Sequence, residues 1–225
     1  MNNIKEEKYT AAKEAVKHIK SGQIVGLGTG STAYFAVDEI GKMVKTGMKI
    51  KAVPTSDKTA KQAKSLGIEL ISINDVDSID VTIDGTDEFD KNLNLIKGGG
   101  GALLKEKMVA NITRKQIIIA DSSKKVDALG VFMIPVEVLP FTINYVQKKI
   151  SAIGGVGHIR KKEGKYFLTD EKNYIIDADF GEIENPYQIS DKLNNIEGVI
   201  CNGLFLDLAD IVIVGKDGKT IVLNK

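Results

Sequence analysis

Apolar residues recur at Tyr9, Ala12, Val16 and Ile19, close to the 3.6-residue period of a helix with one buried face. Asn3 is placed to cap its start and Ser21-Gly22 to end it. A short apolar run, Ile24 to Leu27, predicts a strand, the glycine turn GTGST follows, and Phe35, Val37, Ile40 and Val44 mark a second helix. The alternation continues with strand Ile50 to Val53, helix Lys58 to Leu66, and strands Ile68 to Ile73 and Val81 to Ile83. Helix Ala102 to Ile112 and strand Ile117 to Ala120 complete it. Strands alternating with helices across short links predict a parallel sheet covered by helices.

After Asp127 the pattern changes. VFMIPVEVLPF holds two of the four prolines, a helix is predicted over Ile143 to Ile153, and two strand-like runs flank a turn at Glu163-Gly164. Another helix is predicted near Ser190 to Asn195. This stretch, 130–205, reads as a smaller α+β domain. The closing strands ADIVIVG and TIVLN are apolar enough to rejoin the first sheet, so 1–129 and 206–225 form the larger domain.

Composition narrows the function. With 225 residues, 43% hydrophobic and 27% charged, the chain can bury a sizeable core. Its net charge of +1 argues against nucleic acid or an anionic membrane as the main partner, while leaving room for a local anion site. Cys201 is the single cysteine, so no intrachain disulfide forms. The first twenty residues lack a signal-peptide core and no apolar run is long enough to span a bilayer, so the expected location is the cytoplasm.

Three glycine-bearing polar segments follow predicted strands, where doubly wound sheets bind ligands. The first is GLGTGSTA, residues 26–33, in which backbone N–H groups at a helix start and the hydroxyls of Thr29, Ser31 and Thr32 make a pocket suited to phosphate. Gly28 to Ala33 also fits G-x-G-x-x-G/A of dinucleotide sites. That reading expects a carboxylate at the tip of the second strand, and VPTS, residues 53–56, has none. A Walker loop is excluded because no Gly-Lys-Ser/Thr follows. The second segment is TIDGTDEFD, residues 82–90, where Asp84 and Asp87 flank Gly85-Thr86 and Glu88 and Asp90 add charge. Solvated turn residues, an all-carboxylate Mg²⁺ site or the hydroxyls of a sugar all fit this cluster. No histidine or cysteine lies nearby to complete a transition-metal site.

The third segment is IKGGGGALLKEKMVA, Ile96 to Ala110. Four glycines permit close approach of backbone to a ligand. On a helical wheel Glu106 has Ala102, Leu103, Val109 and Ala110 as its i±3 and i±4 neighbours, all apolar, while Leu104 and Met108 line the opposite face, which predicts a helix packed on two sides. Burial of a carboxylate there lifts it toward the range useful to a general base. Lys97 supplies positive charge for an oxygen that turns negative during reaction.

Together GLGTGSTA, DGTDEFD, LIKGGGGALLKEKMVA, IADSSKKVDALG and the closing GLFLDLADIVIVG, in this order, resemble ribose-5-phosphate isomerase, type A, over essentially the whole chain. The resemblance implies a Rossmann-like parallel sheet domain with a smaller ferredoxin-like α+β domain inserted before the last strands. It implies a homo-oligomer, dimer or tetramer, with no metal and no organic cofactor. It places phosphate and substrate contacts on Thr29, Gly30, Ser31 and Thr32, on Asp84, Gly85, Thr86 and Asp87, on Lys97, Gly98, Gly99 and Gly100, and on Lys124. Lys8 adds charge to the phosphate site, and Glu106 is the general base. The family more often has Ala where Thr86 stands and Ile or Val at Phe89, which leaves the carboxylates in place. The implied reaction interconverts D-ribose 5-phosphate and D-ribulose 5-phosphate in the non-oxidative pentose phosphate pathway. Glu106 would move a proton between C2 and C1 through a cis-enediolate, with Lys97 and glycine amides holding its oxygen, Asp84 opening the ring and Asp87 holding hydroxyls. Related folds include glucosamine-6-phosphate deaminase, 6-phosphogluconolactonase and sugar-sensing regulators, so a sugar-phosphate sensor or another sugar-phosphate enzyme is the competing reading. The deaminase expects a histidine at the sugar, whereas His18 reads as a surface residue and His158 as a loop residue of the small domain.

Overall fold

The structure is a computed structural model that describes residues 3–225. In chain order its elements begin with α1 (Asn3–Ala15), β1 (Ile24–Leu27), α2 (Ala33–Lys45), β2 (Lys51–Pro54), α3 (Asp57–Ser65), β3 (Glu69–Leu70), β4 (Val81–Gly85), β5 (Glu88–Phe89) and β6 (Leu95–Ile96). Next come α4 (Leu103–Asn111), β7 (Gln116–Asp121), β8 (Ile134–Val138), α5 (Ile143–Ala152), β9 (Val156–Ile159), β10 (Lys161–Lys162) and β11 (Lys165–Tyr166). The last are β12 (Tyr174–Asp179), α6 (Pro186–Asn194), β13 (Val199–Asn202), β14 (Leu204–Phe205), β15 (Ile211–Lys216) and β16 (Lys219–Asn224). The chain divides into two compact units: the first holds the chain through Thr86, Lys105–Lys125 and Asp207–Lys225, the second Asp87–Leu104 and Val126–Leu206.

In the first unit seven strands lie in the order β16-β15-β7-β4-β1-β2-β3, parallel except for β16. Both faces are covered, so β7 is buried along its whole length, as its unbroken IIIA run requires. Neighbouring residues of β2 point to opposite faces: Ala52 joins the cluster with Ala11, Ile40 and Ala63 of α1, α2 and α3, and Val53 joins Ile79 and Val109 of α4. Helices therefore cover the sheet on both sides. The edge strand β16 is attached by a two-residue turn, Asp217-Gly218, in which both residues have positive φ (49° and 73°), the geometry that matches the twist of a hairpin.

Predicted features of β3 and α1 changed on folding. The strand expected over Ile68 to Ile73 is only Glu69–Leu70, because it is the sheet edge and Ser72 accepts from the Asn74 N–H to start a 3₁₀ turn. Tyr9 is partly exposed and stands edge-on to Phe35, while Ala12, Val16 and Ile19 are buried as the spacing predicts, with Ala11 and Ala15 widening the stripe. Small residues suit this face, because α1 lies close on β15: a Cβ on Gly215 would come within 1.9 Å of the Glu7 carbonyl oxygen. Gly215→Ala is accordingly expected to destabilise the protein by about 1–3 kcal/mol through overpacking against backbone. Urea unfolding measures this, and an unchanged midpoint would show that α1 lifts from the sheet at no cost.

In the second unit β8-α5-β9-β12-α6-β13 form an antiparallel sheet in the order β13-β8-β12-β9, the βαββαβ arrangement of ferredoxin-like domains. Its core joins Val136 and Val138 of β8, Val146 and Ile150 of α5, Ile176 of β12 and Leu193 of α6. The β10–β11 hairpin turns at Glu163-Gly164, both with positive φ (52° and 78°). Helix α6 starts at Pro186, earlier than the apolar spacing placed it, because the Asn185 side chain accepts from the Gln188 N–H and proline suits the first helical position. The sequence boundaries differ from this division chiefly at 87–104. There β5 and β6 pair with each other and β14 pairs with β6, strands of two residues each and too short to show a period. His158 lies on β9, exposed, rather than in a loop.

Candidate active site

Each unit carries part of the residues singled out by sequence. In the first, β1 is bordered by β4 and β2, and the chain order reverses between β1 and β4. At such a switch point the loops leaving adjacent parallel strands diverge and open a crevice at their carboxyl ends. The loop after β1 holds Thr29, Gly30, Ser31 and Thr32, the end of β4 holds Asp84, Gly85 and Thr86, and the turn after β7 holds Lys124. Because β1, β4 and β7 are neighbours and parallel, all of these lie along one edge of the sheet.

Asp84 ties two of these loops together. Its side chain is 1% exposed, and Oδ1 accepts from the N–H of Thr29 (3.0 Å) and of Gly85 (2.7 Å). Glycine is required at position 28, since a Cβ there would lie 2.1 Å from Asp84 Oδ1. Gly30 adopts φ 119°, which side chains rarely tolerate, and its carbonyl accepts from the Tyr34 N–H to begin α2.

The hydroxyls of the loop have different roles. The Oγ1 of Thr29, a residue that the sequence assigns to the phosphate, lies in a hydroxyl network with Thr55 (2.7 Å), Ser56 (2.8 Å) and Thr59 (3.2 Å). Thr55 in turn donates to the Leu27 carbonyl and Thr59 to that of Gly28. Thr55 and Ser56 of the β2–α3 connection and Thr59 in the first turn of α3 brace the loop after β1, a role that the lack of a carboxylate in VPTS does not reveal. Their density of hydroxyls was the available signal. Thr32 is buried and Ser31 is exposed. Lys8 Nζ donates to Ser31 Oγ (3.0 Å) and stands 3.8 Å from Asp121 Oδ2. Beside Ser31 opens a basic cavity of about 540 Å³ lined by Lys5, Lys8, Lys58, Gly30, Ser31 and Tyr34, with Ile4 and Phe35. Its three lysines and the N-terminus of α2 give it the charge and donors of an anion site.

Glu106, on α4, is 5% exposed and shares the buried stripe of the helix with Leu103, Val109 and Ala110. The opposite face is not packed as expected: Met108 is 46% exposed. One apolar face suffices because α4 is an outer-layer helix.

The second unit carries Asp87, Lys97 and the glycine run. Lys97, directly after β6, is 2% exposed, its N–H donates to the Gly203 carbonyl (2.9 Å), and its Nζ lies 5.4 Å from the Phe205 ring centroid. The Gly99 N–H donates to Asp87 Oδ2 (2.7 Å). Gly98 and Gly101 have φ of 100° and 82°, and Cβ atoms at 98, 99 and 101 would meet Leu103, Asp87 and Phe167 within 2.5–2.8 Å. Backbone shape and close contact, both, demand glycine here. The first turn of α4 is held by Glu137 of β8, which accepts from the Leu104 N–H and from the side chains of Thr169 (2.9 Å) and Asn173 (3.0 Å). Burial pushes the Glu137 carboxyl above its usual range, against the opposing pull of those hydrogen bonds. Phe89 is fully buried, so it serves packing. His18 and His158 join neither constellation; His18 Nδ1 lies 3.3 Å from Lys115 Nζ. Among the described residues, no group of three or more His, Cys, Asp or Glu side chains is placed to hold a metal ion, and no helix is long and apolar enough to cross a membrane.

Comparison with known proteins places this arrangement. Residues 51–219 match the family described as ribose 5-phosphate isomerase A (phosphoriboisomerase A). Ribose-5-phosphate isomerase A of Streptococcus gordonii is 47% identical over 224 residues, 99% of this chain and 98% of the relative, and that of Limosilactobacillus reuteri is 51% identical over 226 residues, 99% and 98%. Among solved structures, a D-ribose-5-phosphate isomerase in complex with phospho-erythronic acid superposes with a TM-score of 0.96 at 40% identity, covering 100% of both chains. The Methanocaldococcus jannaschii ribose 5-phosphate isomerase A gives 0.92 at 37% identity, covering 97% of this chain and 98% of that one. With identity of this order along its whole length, the chain belongs to the ribose 5-phosphate isomerase A family.

Proposed function

We propose that this protein interconverts D-ribose 5-phosphate and D-ribulose 5-phosphate by carboxylate-mediated proton transfer through a cis-enediolate, in the non-oxidative branch of the pentose phosphate pathway. The observation that carries the proposal is Glu106, a carboxylate withdrawn from water among Leu103, Val109 and Ala110 in a chain of this family. Glu106 takes the proton from C2 and returns it to C1, while the nearly water-free Lys97 ammonium and nearby glycine amides stabilise the enediolate oxygen. Asp84 assists ring opening and Asp87 holds sugar hydroxyls. The phosphate sits at Thr29 to Thr32 with Lys8 and Lys124, a placement supported by the basic cavity beside Ser31. A relative solved with phospho-erythronic acid, a four-carbon sugar acid phosphate, supports a ligand of this class. No step in this reading passes through a metal or organic cofactor. The protein acts as a homo-oligomer, a dimer or tetramer, in the cytoplasm, where its buried thiol Cys201 stays reduced.

The test is to supply ribose 5-phosphate in the presence of a chelator and follow ribulose 5-phosphate. Conversion at the rate seen without chelator is expected. Binding with no conversion would replace the isomerase with a sugar-phosphate sensor, and a rate lost to chelator and restored by a divalent ion would overturn the metal-free mechanism.

A further inference from the structure

The glycine run is gripped by a side chain about sixty residues away in sequence. Arg160 follows β9, and its Nη1 donates to the carbonyl oxygens of both Gly98 (3.0 Å) and Gly99 (3.1 Å). The guanidinium is itself pinned: Nε donates to Asp177 Oδ2 (2.9 Å) and Nη2 to Asp177 Oδ1, a two-point ion pair with β12. Its other neighbour is the Phe167 ring, 5.8 Å away, which also packs against Gly101. A trans peptide turns its C=O and N–H to opposite sides. With two successive carbonyls drawn to Arg160, the N–H groups of Gly99 and Gly100 both turn away from it, and that of Gly99 meets Asp87. Successive amides on one side form a concavity that binds negative oxygen. Glycine backbone alone does not hold such an arrangement, since each residue reaches φ of either sign at little cost.

We infer that Arg160 is a positioning residue for isomerisation: by fixing the carbonyls of Gly98 and Gly99, it ties the Gly99 amide to Asp87 and aims the Gly100 amide at the enediolate oxygen. This rests on the isomerase reading above. Arginine is specified over lysine, because only a planar fork spans two carbonyls and a carboxylate at once.

The test compares Arg160→Gln, Arg160→Lys and Asp177→Asn with the unsubstituted protein. For folded Arg160→Gln, kcat is expected to fall about 10- to 100-fold, the scale of misplacing a group near the reacting atoms, with KM for ribose 5-phosphate nearly unchanged. Affinity for phospho-erythronic acid, whose carboxylate presents negative oxygens in place of the enediolate, falls in parallel, and affinity for inorganic phosphate does not. Amide hydrogen exchange at Gly99 becomes faster. Asp177→Asn, which keeps Arg160 but weakens its anchor, gives a smaller loss of the same kind. Should Arg160→Gln not fold, Arg160→Lys, which keeps a charge opposite Asp177, decides by the same readouts. A folded variant with kcat within twofold of the unsubstituted protein, or a loss confined to KM, overturns the inference while leaving the isomerase reading intact. An inactive unsubstituted protein overturns both.

Discussion

Replacing Glu106 by glutamine is expected to lower kcat by about 10²- to 10⁴-fold, the usual contribution of a positioned general base, with KM and phosphate affinity little changed. Glutamine keeps the size of the side chain and its place on α4, between the buried Leu103 and Val109 one turn to either side, so the protein folds as before. What it loses is the capacity to accept a proton. An interaction needed only in the transition state lowers kcat and kcat/KM together, which separates this outcome from a binding defect. Exchange of the C2 hydrogen with solvent, followed alongside ribulose 5-phosphate formation, should fall by the same factor. Turnover near normal would remove Glu106 from the role of base.

Lys97→Met should reduce kcat by about 10²- to 10³-fold, the loss seen when one donor to a developing oxyanion is removed. The side chain is almost entirely withdrawn from water and lies over the Phe205 ring, where its charge is poorly screened and therefore effective at short range. Methionine fills a similar volume with no charge, and the backbone bond from residue 97 to the Gly203 carbonyl is retained. Steady-state kinetics at saturating ribose 5-phosphate measures the effect. A kcat within a few-fold of the unsubstituted protein would show that the glycine amides carry the negative oxygen without the ammonium.

The large sheet could be read from the chain because its strands are buried on both faces and so appear as unbroken apolar runs, and its helices because α2 keeps one apolar face in register through Val37 and Ile40. The Glu163-Gly164 hairpin was legible for a local reason, the preference of glycine for positive φ. Elements of two residues left no such trace: β6 and β14 acquire their identity by pairing across more than a hundred residues, β5 by pairing with β6, and with them goes the membership of 87–104 in the second unit. The first half of α6 was hidden because a cap and a proline, rather than apolar spacing, start it.

The chemistry divides along the same line. Motifs such as GLGTGSTA, DGTDEFD and the glycine run specify which groups are present, because backbone conformations open only to glycine and clustered carboxylates are local properties of a short segment. Which partners those groups meet is a property of distant strands brought side by side. Folding alone turned the Thr29 hydroxyl toward Thr55, Ser56 and Thr59 and placed Asp84 under the loop after β1. It also set Arg160 behind Gly98 and Gly99 and left Met108 in water. Hydrogen-bond direction and burial depend on neighbours that no spacing along the chain encodes.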